Sequence, residues 1–576
     1  MRRDHRRGLT DALKEQRGVV LVLSLAVMLL LSVMAITLLV TALTEDTISS
    51  NSANHARAFY AAEAGLESGL VDLKVLLTGS ATPTDAQLSA IAAPTLSDAN
   101  YAFVTFEVTR TTPMPYQTVI ASGPYQGLNA LTTDYEITSR VTGPRESRAN
   151  LGQIIQYQEI PLFQFGVFYG RGVDLEIAPG PPMTFNGRVH SNSNIYVVHD
   201  TTKFDSSLTT TGNIYRYLKR DPSTRGSNPQ IKDSTGTYQD LNFDHEFDHN
   251  FDNPWGEADW KDAVLSTFDG LLQDSAMDIQ EIIPPIPGLF HDPADPDVVS
   301  HQMIEKGGAS DSAEMQEAKL YYEAGLRLEA NDSGVLTATD TNGNPVDLSG
   351  CDADTVTTPT FNDKRELRDM TVTQVDIGKL VACGKAPANG ILYVSHDGAS
   401  PAVRVVNGAQ LPSGGLTVVS ENPMYVQGDY NTVNKQPAAI MADAITVLSN
   451  NWGPNNSDAK GSLKTHKRSA TDTTVNAAFA LGPGAESVPG QGNGQLENLI
   501  RFLEDWNGTT FTYNGSLISL WHSLQATADW RCCGSSGDNY YRPPNRNWGY
   551  DTLFDTSLPP GTPRGILVAR QRWFQE

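Results

Sequence analysis

The chain has 576 residues, a formal net charge of −24, 39% hydrophobic and 19% charged residues, 48 Gly and 33 Pro. That length allows two to four domains, and the loop-rich balance suits an exported, mainly β protein better than a cytosolic helical one. An acidic surface repels phosphates and argues against a nucleic-acid partner, while remaining compatible with solubility outside a cell and with cation binding.

Residues 1–18 are a basic leader, in which Arg2, Arg3, Arg6, Arg7, Lys14 and Arg17 outnumber Asp4, Asp11 and Glu15. Val19 to Leu43 then contains no charge, Gly or Pro. As a helix it is long enough to cross a hydrocarbon core of roughly 30 Å. The flanking charges place the leader in the cytoplasm and the rest of the chain across the membrane. A secretory signal has an apolar region of only about 7–15 residues, so a single-pass anchor fits better. Neither Pro nor Gly interrupts Thr44 to Ala64. Phe59, Leu66, Leu70, Leu73 and Leu77 then fall on one helical face. The spacing predicts one helix over residues 19–77, roughly 90 Å long at 1.5 Å per residue. Its first half is lipid-compatible and its second half amphipathic.

Two stretches of this helix carry a resemblance. Gln16-Arg17-Gly18 before the apolar run looks like a prepilin-peptidase site, with cleavage after Gly18 and Val19 as the new N-terminus. Ala58, Phe59, Tyr60, Ala61, Ala62, Glu63, Ala64 and Gly65, followed by Leu66-Glu67, resemble the signature of PilX-type minor pilins. The resemblance spans residues 16–67. It implies a subunit of a type IV pilus or related filament, anchored by a single pass in the inner membrane. It also implies prepilin peptidase and other pilins or pseudopilins as partners, with the bulk of the chain periplasmic or on an extracellular filament. One position departs from the family pattern: four residues after the cleaved bond stands Leu23, where most pilins have Glu. That departure resembles the K-type subunit of type II secretion pseudopili and implies a place at the filament tip.

Residues 78–160 read as a small β region, with strand alternation at Tyr101 to Thr109, Thr118 to Ser122, Asp134 to Val141 and Gln153 to Tyr157. Residues 161–199 and 381–495 read as a β-rich domain. Its short apolar runs include Ile391 to Val394, Val403 to Val406, Leu416 to Val419, Met424 to Val426 and Ile445 to Leu448. That rhythm suggests the rungs of a parallel β-solenoid; its irregular period leaves a β-sandwich open. Residues 200–380 are more polar and acidic and read as an insertion, with helical patches at Asp262 to Gln273 and Ser312 to Leu326 and a hairpin around Asn342-Gly343. Gln495 to Trp506 reads as a short amphipathic helix, and the aromatic-rich residues 496–576 as a C-terminal cap. The expected class is therefore α+β, mainly β.

Four cysteines, Cys351, Cys383, Cys532 and Cys533, occur in the region expected to be exported. Disulfides are permitted there. A Cys351–Cys383 bond would close a modest loop and contribute on the order of 3 kcal/mol. Adjacent Cys532 and Cys533 are compatible with a vicinal bridge or with other partners, and the spacing does not match a four-Cys zinc site. In Phe243 to Asp252, a helix would put Asp244, Asp248 and Asp252 on one face and His245 and His249 on the next. Such a set suits Zn²⁺ or a similar divalent cation, although a solvated acidic loop with Phe anchors accounts for the same residues. No other cofactor is implied. No GxSxG or Walker A motif occurs, so the chain reads as a non-enzymatic assembly subunit. The rival is a membrane-anchored, polysaccharide-active β-solenoid enzyme, which a dense row of charged side chains along one face would favour.

Overall fold

The computed structural model describes residues 5–79, 83–121, 125–221, 227–242, 244–245, 254–255, 257–290, 296–453, 468–484, 494–530 and 540–575. The chain divides into two compact units. The first comprises Met1–Tyr116, Thr132–Gln158 and Leu567–Glu576, and the second Gln117–Leu131 and Glu159–Ile566.

The first unit is built on one helix, His5–Gly79. It is longer than the apolar pattern indicates because the leader continues it. Its sheet has the order Ala102–Arg110, Asn129–Thr142, Arg148–Pro161, Arg564–Gln575, with Tyr116–Val119 also paired to Asn129–Thr142. The first two strands are antiparallel, with Val108 opposite Ile137. Alternating burial along Asn129–Thr142 matches a strand with one face on a core. The helical stripe Ala58, Ala62, Leu66, Leu70, Leu73 and Leu77 is buried in the same cluster as Val108, Tyr135, Ile137 and Val141. Each large side chain so buried contributes about 1.5–3 kcal/mol. Phe59 is half-buried, and its ring meets Trp573 at 5.9 Å.

In the second unit nearly all pairing is parallel, and its longest sheet has eleven strands among the described residues. One column of buried side chains runs through that sheet: Leu272, Leu208, Val189, Val167, Leu517, Phe479, Ile440, Val418, Leu392 and Leu326 are paired in that order. All ten are buried. The chain moves between sheets as it advances. Val167–Tyr169, Leu175–Ile177 and Met183–Phe185 lie in three different sheets, and the following triplet, Val189–Ser191, Ile195–Val197 and Thr202–Phe204, repeats that order. From Arg368 to Ser519, strands alternate between the long sheet and a seven-stranded one, with Thr473–Asn476 and Thr510–Gly515 in a third.

The ladder is not laid down in sequence order. It leaves one end at Leu272–Gln273, re-enters at the other with Leu326–Asn331, and returns to meet its own beginning where Leu517 pairs with Val167. Residues 200–380, expected as an insertion, thus contain strands of both ladder ends. Residues 496–576, expected as a cap, contain Leu517–Ser519 of the long ladder, Arg501–Phe502 of the seven-stranded sheet, and Thr510–Gly515 and Asn545–Tyr550 of the third. The amphipathic helix expected over Gln495 to Trp506 is instead a single turn, Leu496–Asn498, followed by a strand. There the apolar side chains belong to a ladder rung, and parallel partners override the helical spacing. The helical patches are also shorter or shifted: Glu257–Phe268 is the first, and the second breaks into Ala313–Ala318 and Leu320–Glu323.

Candidate functional site

The helix presents two different surfaces. From Val19 to Leu43 its large apolar side chains are all at least half exposed, Leu23 by 64%. Val19–Leu77 is long and apolar enough to cross a membrane. Serine and threonine hydroxyls within it, such as Ser32 and Thr37, donate back to carbonyls four residues earlier. No polar side chain of this stretch therefore demands a partner outside the helix.

The segment 58–65 has a different logic. Ala58, Ala62 and Gly65 sit on the buried side, while Tyr60, Glu63 and Ala64 are exposed and Phe59 and Ala61 lie between. The small residues let the helix approach the sheet. A Cβ on Gly65 would lie 2.4 Å from Ser139 Oγ and 2.7 Å from Phe103 Cε1, and one on Gly69 would lie 3.1 Å from Ile137 and Phe106 atoms. Glu67 accepts two hydrogen bonds of 2.6 Å from Arg570, on the C-terminal strand. That bidentate pair raises the arginine pKa. One half of the motif is thus explained by packing within this unit, and Tyr60, Glu63 and Ala64 face away from it. Gly18 and Val19 lie within the continuous helix.

Cys351 and Cys383 form a disulfide, with Cys383 at the C-cap of the helix Ile377–Ala382. Cys532 and Cys533 lie outside the described residues. Of the metal candidates, Asp248 and His249 also lie outside them, and Asp244 and His245 form a two-residue strand paired with Pro254–Trp255. A strand, rather than a helix, holds Asp244 and His245; the sequence His245-Glu246-Phe247-Asp248-His249 has the HExxH spacing, and residues 246–249 lie outside the described residues.

The structure also assembles a constellation that the sequence analysis did not find. His301 lies with Nε2 3.3 Å from Asp443 Oδ1 and Nδ1 3.0 Å from Glu305 Oε1, with Trp521 edge-on at 5.7 Å. Asp443 accepts the Ser523 hydroxyl at 2.5 Å and backbone N–H groups of Leu524, Gln525 and Ala526. The residues come together from positions 301, 443 and 523, with no local signal to link them. The serine donates to the carboxylate and not to the imidazole, so this is not a nucleophile and its base. Burial alone would lower the histidine pKa, but the two carboxylates override it and hold the imidazole up to about 9. Asp443 lies below the usual carboxylate range: burial opposes this, and the bonds from His301 and Ser523 outweigh it.

Residues 17–67 match the family described as PilX N-terminal. No curated protein matches the chain. Among solved structures, the crystal structure of the competence-associated pilin ComZ from Thermus thermophilus is similar over 91% of this chain and 98% of its own, with 12% identity and a TM-score of 0.32.

Proposed function

From the PilX-type, pilin-like segment in the first tenth of the chain, we propose that this protein is a minor subunit of a type IV pilus or related filament. Prepilin peptidase cuts after Gly18, and Val19 to Leu43 first occupies the inner membrane. Neighbouring pilin helices then replace the lipid as the filament assembles. The β-rich remainder, which we read as a parallel β-solenoid, lies on the periplasmic side and then on the filament, where it adheres or meets other subunits. The observation that carries this reading is the division of the helix. Its striped half is already covered within its own unit, whereas Val19 to Leu43 is exposed on all sides. An apolar cylinder of that kind is stable only in lipid or among other helices.

The position in the filament follows from Leu23. A new N-terminal amine buried among apolar helices without a partner costs several kcal/mol. No carboxylate occurs between Val19 and Thr44, and Glu45 lies roughly 39 Å further along the axis. Such a subunit borrows a carboxylate from a neighbour and supplies none, which suits a tip subunit present in few copies. Immunogold labelling and quantitative blotting of sheared filaments test this with wild type and Leu23→Glu. Few copies at filament ends, spreading along the shaft in the variant, are expected. High wild-type copy along the shaft would sink the tip assignment, and complete absence from filaments would sink the filament reading.

A further inference from the structure

A single cavity of about 310 Å³ in the second unit is lined by the helix end at Leu320 and Glu323 and by the loop 559–563. Its walls are mostly apolar, with Pro287, Met303 and Leu558 beside the prolines of the loop. That loop reads Pro559-Pro560-Gly561-Thr562-Pro563, and its three prolines have no N–H to donate. Hydrogen bonds hold it in place. The Thr562 N–H and hydroxyl both donate to the Pro559 carbonyl, at 3.1 and 2.6 Å. The Pro560 carbonyl accepts the Thr417 hydroxyl, and the Pro563 carbonyl accepts the Leu162 N–H at 3.0 Å. Gly561 takes a φ of +64°, and a Cβ there would lie 2.7 Å from Ile391 Cδ1. This wall is therefore preformed.

Two charged residues border the cavity, Glu323 and Arg564. Arg564 is taken, because its guanidinium donates to the Glu159 carboxylate. Glu323 is not. Its backbone carbonyl accepts the Asn389 amide at 2.8 Å, but its carboxylate has no hydrogen bond or ion pair among the described residues. The side chain is open to solvent, so a ligand can reach it. The apolar surroundings raise its carboxyl to about 7, and Arg564 opposes them only in part. A carboxylate so placed gains more from a cation than it would in bulk water.

We propose that this cavity binds a small organic monocation, an alkyl chain ending in an ammonium or guanidinium group. The alkyl part packs on the prolines, Met303 and Leu320, and the charged end meets Glu323. The volume lies at the lower end of the range for small-molecule sites, about 300–1,000 Å³, so a polymer does not fit inside. Calcium takes about six to eight oxygen ligands, which one carboxylate among apolar walls does not offer. No group of three or more His, Cys, Asp or Glu side chains able to hold a metal occurs among the described residues. An anion would meet Glu323 unopposed, since Arg564 is occupied by Glu159. A neutral apolar ligand would strip water from the carboxylate and return no partner. A diamine would bring its second charge into the field of Arg564, which favours a monocation. This inference goes beyond the filament reading and does not depend on it.

The test titrates n-butylammonium into the full chain in dodecyl maltoside at about pH 8, where the carboxylate is ionised and the amine protonated. Calorimetry and saturation-transfer NMR read the binding. Saturable binding is expected, weakened tenfold or more in Glu323→Gln, lost in Ala318→Phe, which fills the cavity, and unchanged in Val335→Ala. Melting temperatures check that the variants fold, and Glu323→Gln, at a solvent-open position, decides alone if Ala318→Phe unfolds. Butan-1-ol and butyrate, without the positive charge, should bind at least tenfold more weakly. Nα-acetyl-lysine methylamide separates the two sources of the cation. Tighter binding than butylammonium marks a lysine side chain of another polypeptide, weaker binding marks a free amine, and either order supports the site. Absence of saturable binding of both cations, wild-type affinity in Glu323→Gln, or butanol binding as tightly as butylammonium would each overturn the proposal.

Discussion

His301 has a carboxylate at each ring nitrogen, Asp443 at 3.3 Å and Glu305 at 3.0 Å. Two acceptors call for two donors, and only the imidazolium has both. The folded pKa, about 9, lies above the ordinary value of 6.5. The stabilisation is therefore complete below pH 6.5 and is lost as pH rises through 9. It is on the order of 3 kcal/mol at most. Asp443 works in the opposite sense: its lowered pKa stabilises the fold above its ordinary value of 3.8 and is lost in stronger acid. Calorimetric melting between pH 6 and 10 should show the wild-type temperature falling across that range and a flatter profile for His301→Gln. Parallel profiles would mean that His301 is neutral when folded. His190, by contrast, sits between Thr209 and Asn192 with no carboxylate among its hydrogen-bond partners, and burial pushes it down to about 4. Two buried histidines thus take opposite charge states, and their neighbours decide which.

At the scale of elements, the helix–sheet contact in the first unit depends on small residues. Gly65 is tolerated because it lacks the Cβ that would meet Ser139 and Phe103. Gly65→Val should destabilise this unit by about 1–3 kcal/mol through overpacking, while Ala64→Val, on the exposed face, should change stability by less than about 0.5 kcal/mol. Denaturant titration with protease protection of the helix reads the difference; equal effects at the two positions would remove the packing explanation. The Arg570–Glu67 pair adds less. Both side chains are about half exposed, and exposed ion pairs contribute about 0–1 kcal/mol. Strand Arg564–Gln575 is held more by Trp573 against Phe59 and by Phe574, which occupies the space a Cβ on Gly152 would need. The motif 58–67 is therefore legible in the sequence as a pattern, but its glycine has a reason only once the sheet lies beneath it.

For the whole molecule, the ladder of the second unit is closed by distant pairs such as Leu517 with Val167. Contacts of that separation make folding slow, since the intervening loop must be closed before the pair stabilises anything. The apolar stretch Val19 to Leu43 is helical by its local pattern and needs no distant partner to form. We expect the mature protein from membranes of cells with active prepilin peptidase to begin at Val19, as read by N-terminal sequencing or intact mass. An intact Met1 in that fraction would make the helix a permanent anchor.

The sequence by itself determined the helix, its apolar first half and its striped second half. Each is a local property: absence of charge, and a 3.6-residue period, are visible without knowing any partner. It also determined that the remainder is mainly β. Only the tertiary structure decided which strands meet. Parallel strands buried on both faces, such as Ala438–Ala442, show no alternation from which register could be read. Their outer side is covered by remote segments; Tyr393, for example, reaches the Ile304 carbonyl at 3.0 Å. The charge on His301 belongs to the same class. His301 and Asp443 lie far apart in the chain, and their electrostatics exist only after the fold has brought them within a few ångströms.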